Sequence, residues 1–306
     1  MRTGIDLGGT KIEIIAMDED DCVIYQQRAS TPQGDYEATL ETIAQLVFTL
    51  EEKIESSTTI GMGTPGAISQ KTGRLKNSNS TCLNNRQLKQ DLENLLERKI
   101  RTSNDANCFA LSEATDGAAS GASSMFGVII GTGTGAGIVI DHKILEGANR
   151  IAGEWGHNPL PWPGKDEQLT QCYCGLHGCI ETFLSGPGMA ADFSRQTKRA
   201  MTANQIAAAA EQGDNAAEKC LQRYEQRLAR ALSHIINIID PEIIVLGGGL
   251  SNIQRLYKNV PNYWGEFIFS DMILTKLVPP MHGDSSGVRG AARLWSLDEA
   301  IANRQL

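Results

Sequence analysis

The chain has 306 residues, with 28 Lys plus Arg against 36 Asp plus Glu and a formal net charge of −8. At 41% hydrophobic and 21% charged residues it is too apolar for a disordered chain, and at roughly 100–200 residues per domain it suits two domains. The acidic balance argues against a nucleic-acid partner, no apolar run approaches the ~20 residues that cross a bilayer, and the opening MRTGIDLGGT lacks a signal peptide's basic and apolar regions, so a cytoplasmic, enzyme-sized protein is expected.

In chain order, residues 4–18 (GIDLGGTKIEIIAMD) read as strand, glycine turn, strand. Residues 35–55 place Leu40, Ile43, Leu46, Val47 and Leu50 at helical spacing, and residues 87–98 do the same with Leu88, Leu92, Leu95 and Leu96. Arg101 to Ala114 reads as a strand ending in Asn104-Asp105, with a helix starting at or just after Asp105. DGAASGASS, near residue 120, is the expected boundary between domains 1–120 and 121–289. Residues 127–141 (GVIIGTGTGAGIVID) repeat the plan of 4–18, which suggests a duplication with two related halves facing each other. Residues 201–239 are helix-rich, with Leu221, Tyr224, Leu228, Leu232, Ile235, Ile236 and Ile239 on one stripe until Pro241 stops it. The strand EIIVLGGGL follows, and a last helix runs from Gly290 to Ala300, so that 290–306 would complete the first domain. Strands alternate with helices, which makes the class α/β.

Two of the glycine turns share a chemistry, although neither is a Walker loop and Ala136 breaks the dinucleotide fingerprint in the second. Exposed N–H groups at Gly8, Gly9 and Thr10, with the Lys11 ammonium, suit phosphate oxygens, and Asp6 at the strand end suits a water-bridged Mg²⁺. Either turn alone is equally a tight hairpin; two matching turns plus a GGG turn suit a nucleotide. Asp105 is open to two readings, a helix N-cap or a carboxylate that takes a proton from an attacking hydroxyl.

Seven cysteines divide unevenly. Cys22, Cys82, Cys108 and Cys220 are scattered and expected to be small buried or semi-buried side chains. Cys172, Cys174 and Cys179 cluster, and His157 of GEWGH precedes them by a 14-residue gap. A Cys₃His set fills a tetrahedral shell and predicts structural rather than catalytic Zn²⁺, with His177 as the second-ranked fourth ligand. Glu154 and Glu181 flank those ligands, so closing the loop would bring two carboxylates toward one pocket, as a sugar's hydroxyls require.

D-x-G-G-T-K, N-D-A-N, G-T-G-x-G-x-G, G-E-x-G-H and C-x-C-G-x-x-G-C-x-E together resemble the ROK family of repressors, open reading frames and kinases, from residue 3 to about 295. The resemblance implies the two-domain hexokinase/actin-like (ribonuclease H-like) ATPase fold with an interdomain cleft, and a homodimer. It also implies Asp105 as catalytic base, with Gly66, Asn104, Glu154, His157 and Glu181 on the sugar and His157 shared between sugar and zinc. ATP would be held by Gly4, Asp6, Gly8, Gly9, Thr10 and Lys11, by Gly131, Thr132, Gly133, Thr134, Gly135 and Gly137, and by Gly247, Gly248 and Gly249 near the adenosine. GEWGHNPLPW, ETFLSG and HGDSSGVRGAA look most like the family's fructokinases, so the expected reaction is ATP-dependent phosphorylation of D-fructose, and of mannose, at the 6-hydroxyl. Kinases of N-acetylglucosamine or N-acetylmannosamine and glucokinases are the alternatives. A sugar-responsive regulator is disfavoured, since the first phosphate strand starts too near Met1 for a preceding helix-turn-helix.

Overall fold

A computed structural model describes residues 1–78, 80–165 and 167–303. The chain divides into two compact units, Met1–Ser112 with Glu146–Ala152 and Ser285–Leu306, and Glu113–Leu145 with Gly153–Asp284. The units part at 112/113, inside helix Asp105–Thr115, and at 284/285, while the expected boundaries were 120 and 289; DGAASGASS follows that helix.

In the first unit, strands β1 (Arg2–Leu7), β2 (Lys11–Met17), β3 (Val23–Ser30), β4 (Thr59–Thr64) and β7 (Ile100–Asn104) form a sheet in the order β3-β2-β1-β4-β7, while β5 (Ala67–Ile68) pairs with β6 (Leu75–Lys76). β1, β2 and β3 are antiparallel neighbours, whereas β1, β4 and β7 are parallel. β4 is buried at every position, as a strand covered on both faces must be, while the outer strand β3 alternates toward solvent. One face packs Ile5, Leu7, Ile12 and Ile14 against Ile43, Val47 and Leu50 of helix Tyr36–Ile54 and against Leu88 and Leu92 of helix Leu88–Leu96. On the other face Ile15 and Met17 pack against Val288 and Ala292 of helix Ser286–Ala292. That helix lies so close that a Cβ on Gly4 would fall 2.0 Å from the Val288 carbonyl oxygen. The expected helix over Gly290–Ala300 is two helices, Ser286–Ala292 and Leu297–Ala302, because Ser296 and Glu299 form a capping box that starts the second afresh. Residues 304–306 of the expected 290–306 segment lie outside the described residues.

The second unit repeats the plan. Strands β8 (Ser124–Ile130), β9 (Thr134–Ile140), β10 (Lys143–Ile144), β11 (Ile243–Gly247) and β12 (Lys276–Val278) are ordered β10-β9-β8-β11-β12, with β8/β9/β10 antiparallel and β8/β11/β12 parallel. Strand for strand this is the order and direction of the first sheet, so the duplication expected from two glycine-turn segments extends to five strands in each unit. Helix Asn215–Ile239 is capped by Asp214, buries Leu221, Tyr224, Leu228, Leu232 and Ile236, and ends before Pro241. Among the described residues no helix is long and apolar enough to cross a membrane. Of the scattered cysteines, Cys108 and Cys220 are buried and Cys82 partly so, but Cys22 is exposed, because it sits in the turn between β2 and β3.

Candidate active site

In the first unit, three carboxylates gather around the turn between β1 and β2. The turn is closed by the Gly8 N–H donating to the Lys11 carbonyl at 2.9 Å, and it leaves Gly9 and Thr10 exposed. Asp6 stands at the end of β1, where burial, then Asp105, then Glu13 push its carboxyl up to about 7, with Lys11 opposing. Lys11 reaches Glu13 at 3.8 Å. A cation placed here would return Asp6 to its ionised form, which is the electrostatic setting a phosphate–magnesium pair supplies.

Asn104 and Asp105 divide the two tasks that the sequence left open. Asn104 ends β7, and its Oδ1 accepts from the Ala106 N–H at 2.9 Å, as a cap does. Asp105 is the first residue of the helix, with its own Oδ1 2.8 Å from the same N–H. The cap is therefore Asn104, and the N-cap reading does not account for Asp105. The other end of the Asn104 amide donates to the Gly66 carbonyl at 3.1 Å. Gly66 has φ 78, and a Cβ there would come within 2.3 Å of the Lys76 carbonyl, so β6 admits no side chain at this corner.

In the second unit, two glycine turns lie side by side at the ends of β8 and β11. Gly131 donates to the Gly133 carbonyl at 3.0 Å, and a Cβ on Gly248 (φ 80) would meet the Ile130 carbonyl at 2.5 Å. Glu181, the first residue of helix Glu181–Leu184, reaches into the first of these turns, where its Oε2 accepts from the Thr134 N–H at 2.9 Å. Two residues grouped with the nucleotide turns lie elsewhere. Gly4 is in mid-strand under helix Ser286–Ala292, and Gly137 is in mid-strand opposite Gly127, where Gly153 crowds it. Both allow close packing and neither is on a turn.

GEWGH forms a tight turn pressed on β9, since a Cβ on Gly156 would be 2.1 Å from the Thr134 carbonyl and one on Gly153 (φ 91) 2.3 Å from that of Ala136. The turn leaves Glu154 exposed and aims His157 at the cysteines. Ligand atoms of His157, Cys172, Cys174 and Cys179 all lie within 4.8 Å of one another. Cys172 Sγ is 3.6 Å from His157 Nδ1, and Cys174 Sγ is 3.6 Å from Cys179 Sγ. Zinc at its usual distances from S and N sets tetrahedron edges of roughly 3.6–3.8 Å, so donor set and spacing both fit that ion. His177, the second-ranked ligand, is not among these four residues, and its backbone pairs with that of Gln171. Burial raises the Cys172 thiol and raises Cys179 to about 12, while the Leu176 N–H lowers Cys174.

Tyr173 was passed over in the sequence. Its hydroxyl is 2.9 Å from His157 Nε2, the ring nitrogen turned away from the cysteines. Burial, then Glu181, Cys172 and Glu154, push the phenol up to about 12, so both flanking carboxylates are within electrostatic reach of it. The signal was present in its position between two ligands of C-Y-C, but spacing rules address ligands rather than the residue between them.

Duplicated sheets in the order 3-2-1-4-5, each with a glycine turn after its first strand, are the two-domain actin-like fold of sugar kinases. The chain belongs to the ROK family, whose signature matches residues 2–297, and it is a sugar kinase. It is 38% identical over 299 residues to an N-acetyl-D-glucosamine kinase of Vibrio cholerae, covering 96% of this chain and 99% of that one. To an N-acetyl-D-glucosamine kinase of Escherichia coli it is 36% identical over 303 residues, covering 97% and 100%. A ROK hexokinase of Thermus thermophilus superimposes with a TM-score of 0.86 at 26% identity, covering 100% of this chain and 99% of that one. A ROK glucokinase of Streptomyces griseus, solved with glucose and AMPPNP, shares the fold at a TM-score of 0.79 and 24% identity, covering 96% and 98%.

Proposed function

We propose that the protein is an ATP-dependent N-acetylhexosamine kinase, with N-acetyl-D-glucosamine as substrate and the 6-hydroxyl as acceptor. The observation that carries the choice of sugar is end-to-end similarity, at 36–38% identity, to enzymes named for that sugar. The fructose expectation has no such support, because neither of those relatives is a fructokinase.

In this reading Asp105 takes the proton as the 6-hydroxyl oxygen attacks the γ-phosphorus and the bond to the bridging oxygen of ADP breaks. Asn104, Gly66, Glu154, His157 and Glu181 bind the sugar. Gly8 to Lys11 and Gly131 to Gly135 hold the phosphates, and Gly247 to Gly249 lie beside the adenosine. Asp6 would hold Mg²⁺, which when bound would neutralise developing phosphate charge. Support for Asp105 comes from its place at the start of helix Asp105–Thr115 and from its electrostatic reach to Asp6, whose carboxyl it helps push up.

Zn²⁺ on His157, Cys172, Cys174 and Cys179 is structural in this reading, fixing the loop that aims the imidazole. Were the ion held through the His157 nitrogen that faces the cysteines, the other, Nε2, would be left to donate, and a sugar hydroxyl would take the place that the Tyr173 oxygen holds. A cytoplasmic homodimer follows from the family resemblance alone.

The test is a coupled assay of kcat/KM for N-acetylglucosamine, N-acetylmannosamine, glucose, mannose and fructose, run beside Asp105→Asn. N-acetylglucosamine is expected to lead fructose by at least about tenfold, and Asp105→Asn to lose roughly 10²–10⁴ in kcat with an unchanged melting temperature. A lead for fructose would restore the first expectation, and near-normal turnover by Asp105→Asn would remove Asp105 from the chemistry.

A further inference from the structure

One cavity lies wholly within the first unit, directly behind the Gly66–Asn104 contact. Gly66 and Asn104 line it, together with Ala67 and Ile68 of β5, Thr102 of β7, Asn107 in the first turn of helix Asp105–Thr115, and Arg150. Its volume is about 50 Å³. At roughly 10–15 Å³ for each water-sized group, that is room for three to five non-hydrogen atoms. The acetamido group of a 2-acetamido sugar has four, whereas the hydroxyl in the same place on glucose has one.

The lining suits such a group in kind as well as in size. Ala67 and Ile68 give a methyl an apolar seat, while an amide needs one acceptor and one donor beside it. The Asn107 side chain offers both: among the described residues its Nδ2 makes one 3.4 Å contact, with Ser103 Oγ, and its Oδ1 has no hydrogen-bond partner. Arg150 adds a second donor, its Nε held 3.6 Å from Glu146. Neither Asn107, Arg150 nor Ala67 has a part in phosphoryl transfer as described above.

We infer that this cavity is the acetamido subsite, which makes Ala67 and Asn107 the residues that separate N-acetylhexosamines from plain hexoses. The inference rests on the proposed N-acetylhexosamine kinase activity and deepens it. A hexose without the substituent leaves the cavity's polar groups without partners, and a site built around a substrate's hydrogen bonds discriminates strongly against analogues lacking them.

Two variants test it, by kcat/KM for N-acetylglucosamine and glucose with ATP saturating, and by calorimetric affinity for each sugar without ATP. Ala67→Leu fills the cavity and is expected to lower kcat/KM for N-acetylglucosamine by about tenfold or more, leaving glucose within about threefold. Asn107→Ala removes the amide and leaves more room, and should weaken N-acetylglucosamine binding by roughly 5–20-fold with glucose unmoved. Equal losses for both sugars, or an unchanged ratio in both variants, would overturn the assignment. Should Ala67→Leu fail to fold, Asn107→Ala decides alone. A wild-type protein that prefers glucose or fructose overturns the activity itself; a wild type that prefers N-acetylglucosamine, with variants that keep the preference, overturns only the subsite.

Discussion

Asp6 and Asp105 show how much of a carboxylate's role is set by neighbours that a sequence does not display. Both were legible as candidates, one at a strand end and one at a helix start. That Asn104 would be the cap, and that Glu13 and Asp105 would bear on Asp6, depended on how β1, β2 and β7 lie in one sheet. The raised Asp6 carboxyl has a consequence for stability. Its folded-state value of about 7 lies above the usual 3.8, so the folded protein holds the proton more tightly than the unfolded chain. The stabilisation is complete below about pH 4, falls as pH rises, and is gone above about pH 7. Asp6→Asn, which never ionises, is therefore expected to gain on wild type between those limits in chelator and without nucleotide. Denaturant unfolding of both proteins at pH 4.5 and pH 8 reads the difference; a gap that is equal at the two pH values would show that Asp6 titrates normally. Gly4 and Gly137 carry the opposite lesson, since a glycine that admits a packed helix or turn reads the same as one that admits a phosphate.

At the scale of elements, the glycine-turn hairpins were plain because strand, turn and strand are adjacent in sequence, and their likeness announced a duplication. The Cys/His loop was equally plain from four candidate ligands, three of them within eight residues. What spacing could not supply is how the loop is anchored. Glu167 is held by Arg227 at 2.9 Å and Arg230 at 2.5 Å, both on helix Asn215–Ile239, and Arg230 also donates to the Trp162 carbonyl. Burial would raise the Glu167 carboxyl, but its hydrogen bonds to Arg230 and Arg227 hold it below the usual range, so the pair persists at neutral pH. The loop thus has an ionic anchor at Glu167 apart from the Cys/His cluster at its tip. Purified protein should carry one Zn²⁺ per chain, and Cys174→Ser should lose it and raise KM for sugar more than KM for ATP. Hydrogen exchange should then quicken near Cys172–Cys179 while the segment around Trp162 stays protected. Metal-free wild type with full activity, or exchange that spreads through the whole loop, would contradict this picture.

For the molecule as a whole, the class follows from two copies of one sheet order and the family from its signature over residues 2–297, and both were within reach of the sequence because the hairpins and the motifs between them are local. The unit boundaries were not, since the first dividing point falls inside helix Asp105–Thr115 rather than in the glycine-rich stretch that follows it. Nor was the sugar legible. Residues that bind hydroxyls are common to any hexose kinase, whereas the cavity behind Gly66 and Asn104 is assembled from β4, β5, β7, helix Asp105–Thr115 and the segment at Arg150, which no local motif connects. The central claim is that this duplicated fold moves a phosphoryl group from ATP to the 6-hydroxyl of an N-acetylhexosamine. Phosphorus NMR of a reaction holding the zinc-loaded protein, ATP, Mg²⁺ and N-acetylglucosamine tests it most directly. One sugar 6-phosphate is expected for every ADP formed; ADP and inorganic phosphate without phosphorylated sugar, or ATP left intact, would contradict the proposed reaction.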